Sequence, residues 1–84
     1  MITSGQCRAA RGLLGWSQQD LADHAGLGIV TVRNLELGVH EPRRATQQVI
    51  RRAFETAGIE LIDENGGGPG VRLRKRRRAK TPKT

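Results

Sequence analysis

The chain has 84 residues, with one Phe, one Trp, no Tyr, a single cysteine and a formal net charge of +7. This length carries one small domain and excludes a deep enzyme cleft. The scarcity of aromatics leaves the core to Leu, Ile, Val and Ala, and one cysteine excludes an internal disulfide or a cysteine-based zinc site.

The charge is unevenly spread. Residues 1–70 hold seven arginines against eight acids, net −1, whereas residues 71–84 hold eight Lys or Arg and no acid, net +8. A polyanionic partner is implied, and the excess charge meant for it sits at the C-terminal end. No run approaches the roughly 18 apolar residues of a membrane span. The N-terminus has no basic-then-apolar signal pattern, so the expectation is a soluble, cytoplasmic protein without a membrane partner.

In chain order, Thr3 followed by Gln6 is a capping-box pattern, and Cys7, Ala10, Leu13 and Leu14 recur at helical spacing, which predicts a first helix over 4–14 closed by Gly15. Cys7 reads as a small buried hydrophobe on it. Ser17 with Asp20 caps a second helix that ends at Gly26, and Trp16 before the cap can staple onto Leu21. A tight turn then leads to GIVTVRNLELG, 28–38, in which Gly28 caps, Leu27 and Val32 form a second staple, and Gly38 stops the third helix. Two short helices joined so tightly must cross steeply, as in a helix-turn-helix unit.

Pro42 lies in the next loop, and Ala45, Val49, Ile50, Ala53, Phe54 and Ala57 make the apolar stripe of a fourth helix over about 44–57. Beyond Gly58, IELID (59–63) and VRLR (71–74) are β-like, and NGGGPG between them cannot be helical, which predicts a β-hairpin. A hairpin is marginal alone and must lie on the helices or pair with a second chain. KRRRAKTPKT, from Lys75 on, has the composition of a disordered tail. The expected organisation is therefore a mainly α, compact four-helix domain over 1–58, a short C-terminal β-hairpin over 59–74 that is a candidate dimerisation element, and a disordered basic tail over 75–84.

RGLLGWSQQDLADHAGLGIVTVRNLELG, 11–38, resembles the phage-repressor-like (Xre/Cro) helix-turn-helix family: an Arg, then Gly-x-Ser-Gln-x-x-Leu-Ala, a short turn, a second helix and Glu-x-Gly. The resemblance covers about residues 4–57. It implies a compact helical bundle whose third helix enters the major groove of double-stranded DNA, and a homodimer on palindromic half-sites. By position, Arg11 resembles the family arginine that pairs with a glutamate late in the recognition helix, here Glu36. Gln18 falls where relatives place a glutamine on a phosphate, and an amide donor beside a helix N-terminus suits an anion independently of the resemblance.

The family's base-reading positions fall on Ile29, Val30 and Asn34, with Thr31 and Arg33 beside them. Asn34 suits adenine N6 and N7, Arg33 suits guanine or a phosphate, and Ile29 and Val30 can only pack on thymine methyls. That aliphatic pair has two other readings, a docking spot for a protein partner and burial of one of the two in the core. Arg43 and Arg44, after the recognition helix, can bracket the groove on backbone phosphate. Arg74, Lys75, Arg76, Arg77, Arg78 and Lys80 form a nonspecific basic arm, each neutralised phosphate adding about 0.9 to the salt slope.

The leading expectation is thus a sequence-specific DNA-binding transcriptional regulator, a repressor at a palindromic operator. The alternative is a protein-interaction module such as an antitoxin or antiactivator on the same fold, with DNA binding secondary. No enzyme is expected, since His24 and His40 lack a nearby nucleophile or ligand cluster and no paired carboxylates stand out, and no cofactor or metal is implied.

Overall fold

The computed structural model describes residues 2–39, 42–63 and 66–74; the expected tail over 75–84 lies outside the described residues. In chain order the elements are α1 (Ser4–Leu14), α2 (Gln18–Ala25), α3 (Ile29–Leu37), α4 (Arg44–Thr56), β1 (Ile59–Ile62) and β2 (Gly70–Leu73). Four helices and a two-stranded antiparallel hairpin make a mainly α fold. Among the described residues no helix is long and apolar enough to cross a membrane.

Local chemistry sets the helix boundaries. Thr3 and Gln6 close a reciprocal capping box at the start of α1, and Ser17 and Asp20 close another at the start of α2, so backbone donors that a helix leaves orphaned are satisfied by side chains. The first three helices end on Gly15, Gly26 and Gly38, with φ of 68, 69 and 69°, a left-handed conformation that costs any residue with a Cβ. The turn between α2 and α3 is the three residues 26–28. It leaves the two helices no choice but to cross.

The core gathers one face from each of the four helices and from β1. Cys7 and Ala10 of α1, Leu21 and Ala22 of α2, Val32 and Leu35 of α3, Ile50, Ala53 and Phe54 of α4, and Ile59 and Leu61 of β1 are all buried, with Ile2 beside them. Leu14, Trp16, Leu27 and Ile29 are partly buried against this cluster. Three positions of the expected apolar stripes lie outside it. Leu13 is exposed at the edge of the inward face of α1 that Cys7, Ala10 and Leu14 form, Ala45 is exposed in the first turn of α4, and Ala57 is half-buried at its C-cap. Trp16 stacks on Phe54 inwardly and on His24 outwardly, the latter at 4.1 Å and 6° between ring planes. The exposed imidazole of His24 therefore roofs the half-buried indole.

The hairpin lies on its own helices, β1 against α4 and β2 against α1. Its register pairs Ile59 with Leu73, Glu60 with Arg72, Leu61 with Val71 and Ile62 with Gly70. Ile59 and Leu61 thus point inward, while Glu60 and Arg72 pair on the outer face at 2.9 Å. Gln6 joins the hairpin to α1: its side-chain nitrogen donates to the carbonyls of Ile62 (3.0 Å) and Gly70 (2.9 Å), while its oxygen accepts from Thr3 N–H (2.9 Å). One buried amide both caps a helix and clasps the hairpin.

Leu35→Ala, at 5% exposure in α3, is expected to cost about 2–5 kcal/mol in urea unfolding. An unchanged midpoint would contradict the core assignment. Gln6→Ala is expected to speed hydrogen exchange across residues 59–73 more than across α4, since it leaves two hairpin carbonyls without their donor.

Candidate nucleic-acid interface

The third helix carries the groove-facing candidates, and its two sides are unlike. Val32, Leu35 and Glu36 are buried beneath it. Val30, Arg33 and Leu37, at i, i+3 and i+7, share the outward face and are exposed, Val30 at 61% and Leu37 at 74%. Asn34 and Thr31 are half-buried along the flanks of that face. The aliphatic pair divides, with Ile29 packed half-buried against the core and Val30 turned to solvent. Gly28 caps the helix without a side-chain hydrogen bond, so the first-turn N–H groups have no side-chain partner there.

Beneath this face lies a dense polar cluster centred on the carboxylate of Glu36, whose side chain is 3% exposed. Arg11 engages it in fork geometry, Nε to Oε2 at 2.6 Å and Nη2 to Oε1 at 2.7 Å, and turns its remaining nitrogen Nη1 to the Trp16 carbonyl at 3.0 Å. Gln18 Nε2 donates to Oε1 at 3.1 Å and Cys7 Sγ to Oε2 at 3.2 Å, while Arg8 donates to the backbone carbonyl of Glu36. Each carboxylate oxygen therefore receives two donors. The cluster ties α1, the turn before α2, the start of α2 and the end of α3 to one point.

The electrostatics follow from that geometry. Burial works against the charged form of Glu36, but hydrogen bonds from Arg11, Gln18 and Cys7 together with the Arg11 charge outweigh it and hold the carboxyl below its ordinary range. The same hydrogen bond raises Arg11. Burial, followed by the bond to Glu36, pushes the Cys7 thiol far up, which leaves it a protonated donor in this cluster.

The other candidates are peripheral. Gln18 is half-buried, and one of its amide donors is spent on Glu36. Arg43 and Arg44 are exposed at the N-cap and first position of α4, whose first turn contains no acid. Arg74 is exposed and donates through Nη2 to the Glu55 carbonyl at 2.6 Å, which anchors the root of the basic segment at the end of α4. Lys75, Arg76, Arg77, Arg78 and Lys80 lie outside the described residues. His40 does as well.

Cys7 and Arg8 were not singled out as partners of Glu36 by the sequence reading. A signal existed, since residues 7, 8 and 11 share one side of α1, so whatever Arg11 reaches is within reach of both. The exposure of Leu37, and of Val39 at 56%, carries no comparable local signal. Among the described residues no group of three or more His, Cys, Asp or Glu is placed to hold a metal ion.

A short helix set across a second by a three-residue turn, with an exposed polar and aliphatic face, defines a helix-turn-helix DNA-binding unit. The helix-turn-helix family profile matches residues 8–61, well over half of the chain. The chain belongs to the Xre/Cro-like helix-turn-helix family of DNA-binding regulators. No match to an individual characterised protein accompanies it.

Because Glu36 is depressed in the fold, its contribution to stability is present above its unfolded value of about 4.3 and is lost as pH falls from there through the folded value. Urea midpoints of the wild type are expected to drop on acidification below about pH 5. Glu36→Gln should be less stable at neutral pH, by up to about 3 kcal/mol with Arg11 left unpaired, and show a flatter acid limb. Parallel acid limbs would show that Glu36 is not the group responsible.

Proposed function

We propose that this regulator binds a pseudo-palindromic DNA operator as a homodimer and represses transcription there, with α3 in the major groove. The observation that carries the proposal is the outward face of α3, which sets Arg33 and Asn34 among aliphatic side chains above a rigid polar cluster. Arg33 reads guanine or holds a phosphate, Asn34 pairs with adenine, and Val30 packs on a thymine methyl, with Thr31 and the exposed edge of Ile29 at the margins. Gln18, Arg43 and Arg44 contact backbone phosphate and so fix register without reading sequence. Arg74 and the basic residues after it add nonspecific affinity.

A homodimer spaces two recognition helices about 34 Å apart, one turn of DNA. Ile59, Leu61 and Val71 on the inner face of the hairpin pack on the helices, so the strand edges and Leu73, opposite Ile59 yet 44% exposed, are what it offers a second copy. A second reading, docking to a protein partner with DNA binding secondary, is favoured by the exposure of Val30, Leu37 and Val39.

Selection from a random duplex pool, using the full chain and residues 1–74, tests the proposal. One inverted-repeat motif enriched by both is the expected result, and the full chain alone retained, without a motif and only at low salt, would overturn it. Against the selected site, Asn34→Ala is expected to cost about 1–3 kcal/mol and to relax one base pair. Equal loss at every sequence would remove Asn34 as a reader.

A further inference from the structure

Of the side chains proposed to meet DNA, Gln18 is hydrogen-bonded to the buried cluster. Three of the four donors on the Glu36 carboxylate come from α1, two from Arg11 and one from Cys7, and they leave the carboxylate no freedom to turn. The fourth is Gln18 Nε2 at 3.1 Å, at the first residue of α2. An amide nitrogen carries two N–H groups in one plane, so fixing the direction of one fixes the other. Gln18 is half-buried, so its side chain is not sealed from solvent at the start of α2.

We propose that Glu36 is a positioning residue for DNA binding: by holding one N–H of Gln18 it aims the other at a backbone phosphate. This rests on the Gln18 phosphate contact proposed above. Glu36 belongs to the base-reading helix and Gln18 to the helix that grips the backbone, so the hydrogen bond sets the distance between reading and gripping. A surface glutamine must surrender its rotamers when it meets a phosphate. Gln18 surrenders them on folding, and the contact forms with less entropy left to lose.

Position and charge predict opposite signs. Glu36 is an anion close to a surface meant for phosphates, so if it acted through charge alone, its removal would tighten binding. If it acts through Gln18, its removal weakens binding. Replacing both members of the ion pair by apolar residues of similar size keeps the net charge and is commonly tolerated by the fold. Arg11→Met/Glu36→Met therefore removes the acceptor of Gln18 while leaving total charge unchanged.

The experiment is a binding cycle on the selected operator and on a scrambled duplex, comparing wild type, Gln18→Met, Arg11→Met/Glu36→Met and the triple variant, each checked for folding. Gln18→Met and the double variant are each expected to bind roughly tenfold more weakly on both duplexes, and the triple variant no more weakly than Gln18→Met alone. Multiplying losses, or a double variant that binds as well as wild type or better, would overturn the positioning role while leaving the phosphate contact intact. Gln18→Met with unchanged affinity would remove the contact itself and the inference with it. If the double variant does not fold, the Gln18 side-chain amide signals of the wild type decide. A rigid side-chain NH2 in the free protein, with one of its protons shifted on adding operator, is expected, and an NH2 as mobile as that of an exposed glutamine would overturn the proposal.

Discussion

The carboxylate of Glu36 is the point on which the arrangement of this small domain depends. At 3% exposure it is a charge that no water shell supports, and an uncompensated ion there would cost several kcal/mol. Compensation comes from Arg11, Cys7 and Gln18, with Arg8 on the adjacent carbonyl. Those partners sit on α1 and at the start of α2. The requirement that Glu36 be satisfied is therefore also a requirement that α3 lie in one position against both. A wholly apolar contact of the same area would hold the helices together but orient them less sharply, because hydrophobic burial is non-directional whereas hydrogen bonds to a buried charge require both distance and angle.

This accounts for a division of labour within nine residues. The inner side of α3 combines the apolar Val32 and Leu35, which contribute burial, with Glu36, which contributes orientation. Its outer side is thereby freed from structural duty, and Val30, Arg33 and Leu37 make no demand on the core. Ile29 lies between the two regimes, half-buried at the entry to the helix. Changing the outer residues alters what the surface meets, whereas changing the inner ones alters whether the surface exists.

Much of this was legible in the sequence, for identifiable reasons. Thr3 with Gln6 and Ser17 with Asp20 marked two helix starts because capping is a local matter of three residues, and Gly15, Gly26 and Gly38 marked three ends because few residues tolerate the left-handed conformation. The family motif led to Arg11 and Glu36, which the fold brings to 2.6 Å. What stayed hidden depends on long-range placement. The capping role of Gln6 could be read from Thr3, but its grip on Ile62 and Gly70 spans 56 and 64 positions, and no local pattern announces it. The opposite fates of Ile29 and Val30 follow helical spacing, Ile29 standing three residues before the buried Val32 and Val30 three before the exposed Arg33, a signal that the reading of the aliphatic pair as one unit left unused.

The proposed grip on DNA explains one feature that stability alone does not. The first turn of α4 contains no acid, and Arg43 and Arg44 stand where the helix dipole presents its positive end, an arrangement that disfavours cations by about 0.3–1 kcal/mol each. Among the described residues no side chain caps this helix either, in contrast to α1 and α2. A backbone phosphate would resolve both defects at once, by accepting from the free N–H groups and neutralising the arginines. Residues 1–70 are net −1, so the body has no net positive charge of its own to draw it to DNA. In the proposed grip, attraction is left to the basic C-terminal segment, acting at a distance and without regard to sequence, and register to short contacts whose donors the fold would hold in place.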